Sequence, residues 1–208
     1  MMKNWCNRIA ITVSIILVVW MWFIGTDGFT AFTAETARKN NLIEAKPKFP
    51  EVILEDSKER TYTMESFRGK NVLITFVYTA CTTVCPELER NFAEVYQSIP
   101  ASYIGEEIVF LTISFDPERD DPKTLENYQQ YFQSDGETWR MARIPDQLQL
   151  KSLLDAFGVI VIPDEYDGFS HNSAFYFVNK LGYLENVLDY TDIKAASEYV
   201  VGRLEREI

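Results

Sequence analysis

The chain has 208 residues, room for one ordinary domain and an appendage, since domains run about 100 to 200 residues. With 47% hydrophobic and 25% charged residues it can build a packed core, while three cysteines are too few for a framework of structural bridges. A formal net charge of −11 excludes nucleic acid as a partner, because binding phosphates needs a cationic surface.

The charge is uneven: residues 1–26 hold Lys3, Arg8 and no acid, so they carry +2 and the remainder carries −13. Ile9 to Thr26 is an uncharged run of 18 residues, IAITVSIILVVWMWFIGT, with Trp20 and Trp22 toward its far end. At about 1.5 Å per residue such a run just spans a bilayer core. The two cations precede it and Asp27 follows, so the positive-inside bias places residues 1–8 in the cytoplasm and everything after the span outside. The expectation is a transmembrane anchor over 9–26, in a single-pass protein of the cell membrane with its C-terminal domain on the extracytoplasmic side. The competing reading is a cleaved leader, for which Ala31 to Ala34 (AFTA) offers a weak processing site. The apolar run is longer than the usual leader core of about 7 to 15 residues.

This topology sorts the cysteines. Cys6 lies on the cytoplasmic side as a bystander thiol. Cys81 and Cys85 face an oxidising compartment, where neighbouring thiols become disulfides unless something reduces them.

Residues 27–48 are polar with scattered apolar positions and end at Pro47 to Pro50, which reads as a tether with no core. The domain proper is expected over 49–208. Val72 to Tyr78 and Ile108 to Phe115 are near-continuous apolar runs, the signature of central strands covered on both faces. Between them Leu88, Phe92, Val95, Tyr96 and Ile99 mark one face of a helix that begins after Pro86. Pro122 opens a second helix with Leu125, Tyr128 and Phe132 on one face, and Leu150, Leu153, Leu154 and Phe157 mark a third. Ser173 to Val178 and Tyr183 to Asp189 read as strands joined across Asn179 to Gly182, and a closing helix runs from about Asp192 to Glu205. Parallel crossovers, then a hairpin, then a helix describe a three-layer α/β domain.

Chemistry gathers first at Cys81-Thr82-Thr83-Val84-Cys85-Pro86, after a buried strand and before a helix. Pro86 suits the first helical position, which puts Cys85 at or beside the N-cap, where the positive end of the helix dipole favours a thiolate. Residues four apart on one turn have Cβ atoms about 5 to 6 Å apart, against about 3.8 Å in a disulfide. A metal ion with bonds of about 2.3 Å to sulfur fits between them more easily. A disulfide is reachable if the loop tightens, and two inert buried cysteines are the plain alternative.

His171 is the only imidazole. Its bland reading is an exposed loop residue. If the strand after it lies beside the one that ends near Cys81, it completes a Cys2His set. Two thiolates and an imidazole suit a soft ion such as Cu(I) and exclude Mg and Ca. Structural zinc fits poorly, whereas a catalytic zinc with an open position stays possible. With neutral imidazole the set carries −1 around Cu(I) and 0 around Cu(II), so both states are reasonable. Met64 and Met141 make no thioether cluster. Asp116 stands at the end of the other central strand, either beside the cysteine loop or as a turn residue, with Asp121 free to cap the helix that Pro122 opens.

Three segments in order, TACTTVCP (79–86), SFDPERDDP (114–122) and HNSAFYFVNKLG (171–182), resemble the Sco/SenC family of copper-binding assembly factors for cytochrome c oxidase, over about residues 49–208. The resemblance implies a thioredoxin-like three-layer fold with a central mixed sheet, preceded by one N-terminal transmembrane helix. It implies Cys81, Cys85 and His171 as ligands of one copper ion, Cu(I) or Cu(II), with Cys81 and Cys85 also a redox-active pair. It implies oxidase subunit II as partner, receiving copper at its binuclear site. The alternative is a thiol-disulfide oxidoreductase that reduces the subunit II cysteines and draws on a thiol reductant. Ser170 and Leu181 replace aspartates common in the family, which bears on the surroundings of the ligands. A thioredoxin-like reductase usually carries Cys-x-x-Cys, a peroxiredoxin wants Thr-x-x-Cys where Thr79-Ala80-Cys81 is one short, and a noncatalytic binding module needs no paired thiols.

Overall fold

The computed structural model describes residues 2–25, 33–165 and 168–207, without the side chains of residues 2–7 and 10. Thr26, most of the polar stretch before residue 33 and the side chain of Cys6 therefore lie outside the described residues, as do Ala31 and Phe32 of the AFTA segment. The chain divides into two compact units, Met1–Glu44 and Ala45–Ile208.

The first unit holds helix α1 (Met2–Gly25) and nearly all of α2 (Ala34–Ala45). The described apolar side chains of α1, from Ile9 through Val13, Leu17 and Trp20 to Ile24, are exposed. Among the described residues no helix is long and apolar enough to cross a membrane. Side chains are described without a break only over 11–25, 15 residues against the roughly 17 to 25 that a span takes. The stretch expected as a tether is helical over Ala34–Ala45. Thr33 starts that helix by accepting the Thr36 N–H at 3.0 Å, and Arg38 pairs with Glu35. The helix buries nothing, so no apolar stripe announced it.

The second unit is built on a seven-stranded mixed sheet. Its strands are β1 (Leu54–Asp56), β2 (Thr61–Tyr62), β3 (Asn71–Val77), β4 (Ile108–Ser114), β5 (Trp139–Arg143), β8 (Phe175–Val178) and β9 (Leu184–Leu188), in the spatial order β2-β1-β5-β4-β3-β8-β9. A separate hairpin joins β6 (Val161–Pro163) to β7 (Phe169–His171). Strands β3, β4 and β5 are parallel, and β8 runs antiparallel to β3. Both central strands are buried at every position, as their unbroken apolar runs require. Helices α3 (Val84–Ser98), α4 (Pro122–Phe132), α5 (Gln147–Ala156) and α6 (Ile193–Glu205) complete the unit.

Ring contacts show that both sheet faces are covered. On one, Phe92 of α3 meets Phe110, Trp139 and Phe175 at 5.0 to 5.6 Å, and Tyr199 of α6 meets Phe177 at 5.5 Å. On the other, Phe157 at the end of α5 packs on Phe49, Phe76 and Tyr176 at 5.5 to 6.4 Å. This is a thioredoxin-like α/β arrangement with a central mixed sheet. Three helices start with an aspartate cap: Asp121 takes the Thr124 N–H, Asp146 the Gln149 N–H and Asp192 the Ala195 N–H, at 2.7 to 3.0 Å. At the turn between β8 and β9, Gly182 has φ +83, a left-handed conformation that favours glycine.

Three groups of strands were not foreseen. Strand β5 reads W-R-M-A-R. Arg140 interrupts the apolar run, yet it is accommodated by stacking on Tyr62 and Phe67 at 4.9 and 5.1 Å. Strands β1 and β2 are only three and two residues long. The β6–β7 hairpin leaves Ile160 and Ile162 exposed, so it has no buried face to reveal it.

Phe92 joins three strands through its ring and is fully buried. Phe92→Ala is expected to cost about 3 to 5 kcal/mol of unfolding free energy in a denaturant titration. Leu148→Ala, at an 81% exposed position, is expected to change it by less than about 0.5 kcal/mol.

Candidate metal centre

Because β3 and β4 are parallel and in register, with Val77 opposite Ser114, the loops that follow them leave the same edge of the sheet. Because β8 is antiparallel to β3, the segment that leads into β8 arrives at that edge as well. The three sequence segments singled out above therefore converge.

The cysteine loop is tied to the β4 end by Asp120. This carboxylate is fully buried and accepts the Thr79 N–H at 3.0 Å, the Thr79 hydroxyl and the Ser114 hydroxyl. The chain then turns, with Cys81 N–H bonded to the Tyr78 carbonyl at 3.2 Å. Helix α3 starts at Val84, so Pro86 is its third residue and Cys85 lies inside its first turn, not at the cap. Thr83 occupies the N-cap but makes no side-chain cap bond. The sulfur of Cys81 takes over, accepting the Cys85 N–H at 3.3 Å. Pro86 has no N–H to satisfy, so this arrangement leaves few orphan donors at the helix start.

His171 ends β7 and is opposite Val161 of β6. Its Nδ1 lies 3.3 Å from the Asn172 carbonyl, a contact that keeps a proton on Nδ1 and turns the lone pair of Nε2 outward. That Nε2 is 3.4 Å from the Cys85 sulfur. Around the ring stand Phe115 at 5.0 Å, and behind it Tyr78 and Phe169. Arg119 lies over Phe169 at 5.3 Å and over Tyr78 at 6.0 Å, held by an ion pair with Asp116. Asp116 thus orients a guanidinium, while Asp120 is the acid that grips the cysteine loop.

The thiols are unequal. Burial pushes the Cys81 pKa up, but hydrogen bonds from Cys85 and Thr83 outweigh it, and the net shift is downward. Burial, and next the adjacent Cys81 sulfur, raise the Cys85 pKa. Burial also lowers the His171 pKa, opposed only in part by Asn172, so its imidazole is neutral near pH 7. Both cysteines are free thiols.

The pair formed by Cys85 and His171 fits a metal ion. With bonds of about 2.3 Å to sulfur and about 2.0 Å to nitrogen at a tetrahedral angle, two ligands of one ion stand about 3.5 Å apart. The observed separation is 3.4 Å. Cys81 lies in the loop before α3, its sulfur engaged with the Cys85 amide at 3.3 Å. Among the described residues no three His, Cys, Asp or Glu side chains are gathered as a group that holds an ion. Two of the three expected ligands are thus brought together, and the third is adjacent.

A thioredoxin-like sheet with a thiol pair and an imidazole at one edge defines a class of proteins built for soft-metal or thiol chemistry. Residues 43–206 match the SCO1/SenC family, and the chain belongs to that family. It is 28% identical over 125 residues to the SCO1 protein homolog of Bacillus subtilis (strain 168), an alignment covering 59% of this chain and 64% of that relative. The chain thus spans less than two thirds of that relative's length. ScoI of Bradyrhizobium japonicum, solved with copper bound, matches with a TM-score of 0.64 and 24% identity, covering 77% of this chain and 99% of that one. BsSco, a member of the Sco family of cytochrome c oxidase assembly proteins in which a disulfide switch has been identified, matches with a TM-score of 0.66 and 21% identity, covering 77% of this chain and 93% of that one.

Sequence reasoning overlooked Glu89, one turn after Cys85 on α3. It is fully buried, and neither carboxyl oxygen meets a donor at hydrogen-bonding geometry, although the Thr112 hydroxyl is beside it. An acid between Cys85 and Phe92 on the apolar stripe was the available signal. Burial raises its pKa from 4.5 to about 8. The folded protein then holds a proton that the unfolded chain has lost, so the contribution of Glu89 to stability falls as pH rises from 4.5 to about 8 and is level on either side. Glu89→Gln is expected to abolish that decline and to gain a few kcal/mol, on the order of 1.4 per pKa unit, above the window. Denaturant midpoints at pH 4, 6 and 8.5 check it.

Proposed function

We propose that this chain is a membrane-anchored copper-binding assembly factor for cytochrome c oxidase, and that Cys81, Cys85 and His171 hold one copper ion on its way to the binuclear site of subunit II. The observation that carries this reading is the 3.4 Å approach of the Cys85 sulfur to the His171 Nε2 lone pair. Two thiolates with one imidazole suit Cu(I), and the same set tolerates Cu(II). Cys81, with its lowered pKa, is the thiol most readily supplied as thiolate. Cys85 must give up its proton on ligation, so affinity rises with pH. The copper-bound Bradyrhizobium relative and the oxidase-assembly description of BsSco support the assignment.

The second reading, thiol-disulfide exchange on subunit II cysteines with a thiol reductant as electron source, is favoured by the same inequality. A thiol of lowered pKa beside one of raised pKa is the pattern of an attacking and a resolving cysteine. Helix α1, 24 residues long with its described apolar side chains exposed, serves in this proposal as the anchor, leaving the domain outside the cell membrane.

Titration of the reduced protein with copper is expected to saturate at one ion per chain, with thiolate charge-transfer absorption in the Cu(II) form. His171→Ala is expected to weaken affinity at least about tenfold while the fold persists, and Cys81→Ser or Cys85→Ser to remove the absorption or shift it strongly. Unchanged affinity in His171→Ala, with disulfide reduction lost in Cys81→Ser, would establish the redox reading instead. For the anchor, the full chain is expected to stay with membranes through a carbonate wash at high pH, and a chain without residues 1–26 to be released. Release of the full chain would refute the anchor.

A further inference from the structure

The elements that carry the candidate ligands are joined by a hydroxyl that the sequence reading treated as part of an apolar strand. Tyr78 stands one residue beyond β3 and is 7% exposed. Its oxygen accepts the backbone N–H of Phe169 at 3.3 Å, two residues before His171 on β7. A phenol has one proton, so an oxygen that accepts from Phe169 keeps its own O–H free to donate. Burial raises the Tyr78 pKa, the Phe169 N–H opposes this, and charge and hydrogen bonding at Cys81 raise it again. The ring is fixed by edge contact with Phe169 at 5.2 Å, by Phe115 at 5.4 Å and by Arg119 above it.

The separate β6–β7 hairpin has no partner strand in the main sheet among the described residues. Its docking on the cysteine loop therefore rests on ring contacts, on the approach of His171 to Cys85 and on this bond. We propose that Tyr78 is a positioning residue of the centre: its hydroxyl, just beyond the end of β3, holds the strand that carries His171 against the start of the cysteine loop and so sets the distance between imidazole and thiols. Phenylalanine at this position would keep the ring packing and lose the bond to Phe169. The part that concerns metal rests on the copper-binding reading above. The part that concerns the strand does not.

The test is Tyr78→Phe in the full chain, with Tyr128→Phe as control. Tyr128 has a buried hydroxyl without a hydrogen-bond partner, so removing it deletes no bond. In the metal-free protein, amide exchange at Phe169 and His171 is expected to accelerate at least about tenfold in Tyr78→Phe, with β3 and β4 unchanged, and to stay at the wild-type rate in Tyr128→Phe. In the Cu(II) form, an imidazole held less firmly beside the thiols is expected to shift the charge-transfer band and lower copper affinity. Unchanged exchange at Phe169, or acceleration spread through β3 and β4, overturns the proposal. Local acceleration with an unmoved band and unchanged copper affinity overturns the part that concerns metal. If the wild-type protein binds no copper, the copper reading fails and the exchange result still decides the role of Tyr78 on the strand.

Discussion

The centre depends on one topological constraint, the antiparallel docking of β8 against β3 while β4 runs parallel to it. Parallel neighbours send their following loops to one edge, and an antiparallel neighbour sends its preceding segment there. Cys81 and Cys85 follow β3, Asp116 and Asp120 follow β4, and His171 precedes β8. Any one-residue slip of β8 would also turn its side chains to the opposite face, exchanging Tyr176 with Phe175 and Phe177 in a core that fits both sets. The rings of Phe92, Phe157 and Tyr199 on the two faces therefore protect the approach of His171 to Cys85 as much as they stabilise the sheet.

Within that frame, polar groups do the fine placement. Asp120 has no cation beside its carboxylate in the bonds described. It is satisfied instead by one N–H and two hydroxyls, from Thr79 and Ser114. A buried acid bonded in this way fixes both ends of the loop start, which a hydrophobic residue could not do. The sulfur of Cys81 then completes the helix start in place of the unused Thr83 cap. A prospective metal ligand is thus also a structural acceptor, and its sulfur has lone pairs enough for both roles.

How far the sequence revealed this follows from what each segment buries. Strands β3 and β4 were legible because both of their faces are covered, and α3 because its stripe is long and regular. Strand β5 was hidden because Arg140 satisfies its charge by stacking on two rings, a contact made only in the folded state. The β6–β7 hairpin that brings in His171 was hidden because it buries little. The site residues stood out by their rarity, two closely spaced cysteines and one histidine. Their supports did not. In the acidic run Asp116 to Asp121 the choice of which acid faces the cysteine loop is made by a turn, in which Asp120 N–H bonds the Asp116 carbonyl at 3.0 Å. Composition and spacing mark a turn at Asp116 but not which acid it brings round to the loop.

The difference between the two thiols bears on both proposed activities at once. Cys81 collects the donors, from the Cys85 amide and Thr83, whereas Cys85 is sealed in the core, above the buried carboxyl of Glu89 and against His171. Negative charge is therefore welcomed at Cys81 and resisted at Cys85, until something positive arrives beside Cys85. A soft cation bound between Cys85 and Nε2 supplies that charge and makes the second thiolate affordable. An oxidant removes the need for it by converting the pair to a disulfide. Metal binding and thiol redox are then two ways of relieving the same electrostatic burden, and the neutral imidazole at 3.4 Å is the feature that favours the metal: it offers a lone pair to a cation, but brings no charge to stabilise a free thiolate.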